Sequence, residues 1–237
     1  MQSTSIPRSR LARFFGRSPL SAEATPWYLG ALGELTVGRV LDSLGPGWHT
    51  IHAVPIGRRG SDIDHLAIGP SGVFTINTKH HAGKVWIASR TLMVNGQRTS
   101  HLRNAVHEAS RAAKLLGAAA GGPVFVTPII AIVGARTLTI REHPDDVVVA
   151  RAERLVRALQ RRPPVLSPEE VAELAGLAAD PATWRSTEPA VPDLAAFAEL
   201  RESVTSAHRI RTAWAFGGII AVIAAPFAAM AGFGLLI

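Results

Sequence analysis

Residues 62–79 read DIDHLAIGPSGVFTINTK, and the way this stretch folds decides the architecture. Two short runs of alternating apolar residues flank Gly69-Pro70-Ser71-Gly72, which is a turn by composition. The spacing predicts a hairpin in which Ile68 pairs with Val73. Counting outward, Asp64 then falls opposite Asn77 and Asp62 opposite Lys79. Side chains alternate faces along a strand, so all four are expected on one face. Two carboxylates, an amide and an ammonium are an odd set for an otherwise apolar hairpin. Taken alone they form either a functional centre or two cross-strand polar pairs worth about 0.2–1 kcal/mol each.

Upstream, residues 25–44 carry Leu32, Leu35, Val37, Val40, Leu41 and Leu44 near helical spacing, the mark of an amphipathic helix. Glu34 lies early in it beside Gly30, Gly33 and Gly38, where small residues let another backbone come close. An acid so placed also complements the helix dipole. A Gly45-Pro46-Gly47 break leads to a strand over residues 48–56 and a basic turn over 57–61. Downstream, residues 84–94 read as a second strand pair and residues 101–116 as a helix. Residues 124–133 form a solid apolar run, expected as a buried strand. A strand over 146–150 and a helix over 151–160 follow. Helix, strands, helix, strands, helix is the order of an α/β domain with helices packed on a central sheet.

Composition sets the outer limits. The chain of 237 residues has room for one medium domain with additions. It has no cysteine, which excludes disulfides, thiolate metal sites and a cysteine nucleophile. Its formal charge of +7 rests on arginine, which outnumbers lysine 22 to 3, and arginine suits bidentate phosphate contact. Residues 1–22 carry Arg8, Arg10, Arg13 and Arg17 and no acid. They lack the apolar core of a secretory signal and read as a disordered basic tail, or alternatively as a segment that touches anionic lipid or nucleic acid.

Beyond the α/β region, Ser167-Pro168-Glu169-Glu170 is a helix start with a capping box. A proline-spaced linker over 180–192 precedes a further helix from Asp193 towards Arg211. Residues 213–237 are uncharged and, as a helix, extend roughly 37 Å against a hydrocarbon core of about 30 Å. They are expected to span a membrane, with Arg201, His208, Arg209 and Arg211 holding the domain on the cytoplasmic side. The chain thus divides into a basic tail (1–24), an α/β domain (25–160), a helical extension and linker (161–211) and a membrane helix (213–237).

The run GSDIDHLAIGPSGVFTINTKHHAGKVW, with GALGELTVGRVL before it and RNAVHEASRAAKLL after it, resembles the nuclease-related domain, NERD. The resemblance spans residues 27–150 in order and spacing. It implies the restriction-endonuclease-like fold of the PD-(D/E)XK nucleases, a mixed central sheet flanked by helices. Position by position, Glu34 matches the helix acid, Asp64 the strand aspartate and Lys79 the lysine. Asn77 stands where the pattern most often has an acid. Asn104 matches a family asparagine, Glu108 falls where related nucleases often carry glutamine, and Asp62 is an extra acid.

The resemblance implies metal-dependent hydrolysis of phosphodiester bonds in DNA or RNA. Mg²⁺ or Mn²⁺ would be held by Asp64 and the Asn77 amide oxygen, with Glu34 or Asp62 completing the set. Lys79 would orient the attacking water and stabilise charge on phosphate. An uncharged amide at position 77 lowers metal affinity, so the competing reading is an inactive module that binds nucleic acid or a protein at the membrane. A third is a structural scaffold. His80-His81 and His49/His52 lack a second ligand pair for zinc, Ser71 lacks a nucleophile elbow, and no phosphate-binding Walker loop is present.

Overall fold

In a computed structural model, residues 8–56, 62–184 and 193–234 are described, with side chains in the last helix described as far as 220 and at 224. The chain forms two compact units. Residues 29–190 make one; residues 1–28 and 191–237 make the other.

The larger unit holds a five-stranded sheet built on the predicted hairpin. Its strands are β1 (His49–Pro55), β2 (Asp62–Gly69), β3 (Gly72–His80), β7 (Val126–Val133) and β9 (Val148–Arg151), in that spatial order. β1, β2 and β3 are antiparallel neighbours, whereas β3–β7 and β7–β9 are parallel. Ile68 pairs with Val73, as turn composition and period-two patterning predict. A smaller sheet has the order β6 (Gln97–Arg98), β5 (Thr91–Val94), β4 (Lys84–Ala88), β8 (Thr137–Ile140). β8 was not expected: four residues with half-covered, exposed alternation carry little pattern.

Helices cover both faces of the large sheet. On one side α2 (Ala24–Leu41), through Val37 and Leu41, and α4 (Leu155–Gln160), through Leu155 and Leu159, pack on Ala67, Phe74, Ile76 and Ile129. On the other, α3 (His101–Ala120), α5 (Pro168–Ala179) and α6 (Pro181–Trp184) close over Leu66, Ile68 and Val73 through Leu116, Leu174 and Trp184. The N-terminal part of α3 also packs Leu102 and Ala105 against Ile130, Ile132 and the small sheet. α5 begins with the expected capping box, Ser167 and Glu170 satisfying each other's backbone N–H. The result is a mixed sheet with flanking helices.

Of the three glycines singled out in α2, one sits in a tight contact with the sheet. A Cβ on Gly33 would lie 3.1 Å from Thr78 Cγ2, so α2 rests on β3 there, while Gly30 faces open space.

The second unit contains α1 (Arg10–Phe14) and α7 (Leu194–Gly234). A capped helix therefore forms inside the stretch expected as a disordered tail, with Ser9 Oγ accepting from the Ala12 N–H at 3.1 Å. α7 is one helix of 41 residues rather than two segments meeting near Arg211. Among the described residues no helix is long and apolar enough to cross a membrane. Most of the side chains of the expected span, 213–237, lie outside the described residues.

Candidate active site

The candidate residues gather where β2 and β3 part. Antiparallel pairing between them runs from Gly69–Gly72 to His65–Ile76 and stops there. Beyond that point β2 stays with β1 as far as Pro55–Asp62, while β3 stays with β7 as far as His80–Val133. Each strand keeps one partner, so a cleft opens between them at Asp64 and Asn77. The expected cross-strand pairs Asp64–Asn77 and Asp62–Lys79 are therefore absent from the ladder, and Asp62 opposes Pro55 instead. Side-chain alternation also slips in β2, because Ile63 shares a core with Leu66 and Ile68. The expectation of four polar groups on one regular face is corrected accordingly. Across from this slip, Ala53 takes φ +52°, a backbone conformation rare for residues with a Cβ.

The parting leaves the Thr78 N–H without a partner on β2, and Asp64 supplies one: its Oδ2 accepts from that N–H at 2.6 Å. This bond fixes the carboxylate in the cleft. Burial raises the Asp64 pKa; the Thr78 N–H and Lys79 lower it, and Glu108 and Asp62 raise it.

Asn77 is buried, and its Nδ2 donates to Glu108 Oε2 at 2.6 Å. A carboxylate accepts only, so the amide nitrogen faces Glu108 and Oδ1 faces away. That Oδ1 is buried with no hydrogen-bond partner. A buried unpaired acceptor costs about 1–3 kcal/mol, which makes it an atom for a ligand to satisfy.

Glu34, exposed on α2, joins the cleft from the opposite face. Burial of its carboxyl and then the charge of Asp64 push its pKa up to about 7; Lys79 opposes this and Asp62 adds to it. A carboxyl that titrates near neutrality is what a general base requires. Lys79, half-buried on β3, acts on Glu34, Asp64 and two histidines at once.

Those histidines were not joined by sequence reasoning. His81, just past β3, and His101, at the start of α3, stand with their Nε2 atoms 3.2 Å apart and their rings stacked. Burial, then Lys79 and His81, press the His101 pKa down to about 4. No local pattern links two residues twenty positions apart. A second pair, His52 and His65, has its Nδ1 atoms 2.7 Å apart, and burial followed by His52 lowers the His65 pKa to about 3. Asn104 is exposed on α3, and Asp62 is exposed at the rim of the cleft.

Among the described residues, no three His, Cys, Asp or Glu side chains converge as a metal cluster. Two of the oxygens at the cleft are the pinned Asp64 carboxylate and the orphaned Asn77 Oδ1. Hard, pure oxygen donors of that number suit a cation such as Mg²⁺, which keeps several waters and binds through one or two protein ligands.

The structure brings a helix acid, a strand aspartate and a strand lysine to one gap in a mixed α/β sheet. Residues 29–133 match the family model of the nuclease-related domain. Placement among the PD-(D/E)XK nucleases is consistent with it. No curated protein and no solved structure matches the chain significantly.

Proposed function

We propose that the domain is a divalent-metal-dependent phosphodiesterase acting on DNA or RNA, with the restriction-endonuclease-like arrangement of acid, acid position and lysine. The observation that carries this reading is the buried, unpaired Asn77 Oδ1 in the same cleft as a carboxylate pinned by a backbone N–H. Asp64 and Asn77 would hold Mg²⁺ or Mn²⁺, which when bound polarises phosphate and lowers the pKa of a coordinated water. Glu34, with its pKa near 7, accepts a proton from the attacking water. Lys79 stabilises the charge that develops on the phosphate oxygens. The chain's net positive charge, carried by arginine, favours a polyanionic substrate.

Residues 213–237 are the proposed membrane anchor, with the domain on the cytoplasmic side. Support comes from 25 consecutive uncharged residues that follow Arg209 and Arg211.

The test is plasmid nicking by the detergent-solubilised chain with Mg²⁺ or Mn²⁺. Cleavage should appear with metal and vanish in Asp64→Asn and Lys79→Met. Equal cleavage by either variant overturns the assignment. One observation favours a second reading, a non-catalytic nucleic-acid-binding module: the Asn77 amide is already engaged by Glu108 and brings no charge to a metal. Salt-sensitive binding without cleavage is its signature.

A further inference from the structure

The N-terminal segment is fastened to α7 by contacts that leave its apolar side open. Gly16, at φ +66°, lies so close to α7 that a Cβ would come within 2.5 Å of the Ala207 carbonyl oxygen and the Arg211 nitrogen. Only glycine permits that approach. The Arg8 guanidinium donates to the Arg17 carbonyl at 3.0 Å and to Ser203 Oγ, and the Trp214 indole N–H donates to the Phe14 carbonyl at 2.8 Å. Phe14, Phe15 and Trp214 form a triangle with ring centroids 5.0–5.4 Å apart.

This triangle is not a closed core. Phe14 is 57% exposed, Phe15 56% and Trp214 46%, and Leu11, Phe216 and Ile219, near them in sequence, are exposed as well. Contiguous exposed apolar surface of this kind marks an interaction site. Its rim is of one sign: Arg10, Arg13 and Arg17 are exposed, and no acid occurs between residues 8 and 22. Leu11 and Phe14 of α1 and its C-cap Phe15 follow i, i+3, i+4 spacing, with Arg10 and Arg13 on the same helix and Arg17 just past it. The triangle also sits on α7 where its last charge, Arg211, gives way to uncharged residues.

We propose that this clasp is a docking surface for an anionic lipid bilayer. The aromatic side chains sit at headgroup depth, where amphipathic rings are favoured, and the three arginines face lipid phosphates. Each arginine near an anionic surface strengthens association roughly five-fold. The idea rests on the membrane reading above for the point at which α7 meets the bilayer.

The test uses the full chain with vesicles of phosphatidylcholine, alone or mixed with phosphatidylglycerol, carrying bromine on the acyl carbons nearest the headgroup. Trp214 fluorescence, isolated as the difference from Trp214→Phe, should be quenched in the anionic vesicles. Replacing Arg10, Arg13 and Arg17 together by glutamine leaves the aromatic triangle in place. It should reduce that quenching to the level seen in neutral vesicles. A chain that floats with vesicles while Trp214 stays open to iodide overturns the inference and leaves the anchor standing. Release by alkaline carbonate with quenching intact before extraction keeps the inference and removes the spanning segment. Failure to float with either vesicle overturns both. A cross-linked dimer lost in Phe14→Ser/Phe15→Ser, with no lipid quenching, assigns the surface to a second copy and overturns the proposal.

Discussion

Asn77→Asp is the most informative single change, because it supplies the carboxylate that the nuclease pattern has at this position. Asn77 is 7% exposed and donates to Glu108 Oε2 at 2.6 Å. A hydrogen bond to a charged group is worth about 1.5–3 kcal/mol, and the substitution replaces it with a contact between like charges. Without metal at pH 8 the larger unit should lose about 2–3 kcal/mol. For a unit of this size, residues 29–190, a loss of about 1 kcal/mol lowers Tm by roughly 2–4 °C. The expected fall is therefore roughly 5–10 °C in EDTA. The new carboxyl should resist ionisation, so the destabilisation should shrink towards pH 5 as the pair takes up a proton. Mg²⁺ at about a hundred times its Kd returns about 2.7 kcal/mol, enough to restore the wild-type Tm. Thermal melts of both proteins in EDTA and in Mg²⁺, at pH 5 and pH 8, decide the matter. A variant that melts like wild type in EDTA, or that Mg²⁺ leaves unstable, refutes placement of the Asn77 oxygen at a cation site.

Other outcomes follow from the same charges. Glu34 has its pKa raised from 4.5 to about 7, so the folded protein keeps a proton that the unfolded chain releases between those values. Stability should fall as pH rises through that window and level off above it. Glu34→Gln should match wild type near pH 4 and exceed it above pH 7 by less than about 1 kcal/mol, the side chain being exposed. In cleavage assays the rise in rate with pH should vanish in that variant; an unchanged pH profile removes Glu34 as the base. Lys79→Met removes one of the charges that lower the His101 pKa, which should climb from about 4 in an NMR titration. The Glu34 pKa should rise as well, and two unmoved values would show that Lys79 does not face the cleft.

The hairpin and its register were legible in residues 62–79 because turn chemistry and period-two patterning are local. So was the cap of α5, which one tetrapeptide encodes. Glu34, Asp64 and Lys79 were named as a set through the family pattern, and in the structure the charges of Asp64 and Lys79 both act on Glu34. What the sequence could not state is that β2 and β3 separate at His65 and Ile76. That follows from competition for backbone hydrogen bonds: β1 holds β2, β7 holds β3, and β7 lies some fifty residues downstream. The separation turns Asp64 from a cross-strand partner of Asn77 into an acceptor for Thr78, and leaves the Asn77 oxygen unpaired. The pairing of His81 with His101 is hidden for the same reason, since it needs α3 laid on the sheet.

The sequence by itself determined the α/β class, the hairpin and the residue types of the site, because periodicity, turns and caps act over a few neighbours. Tertiary structure alone decided where the sheet opens and which polar atoms go unsatisfied. Those depend on which distant strand claims each backbone group.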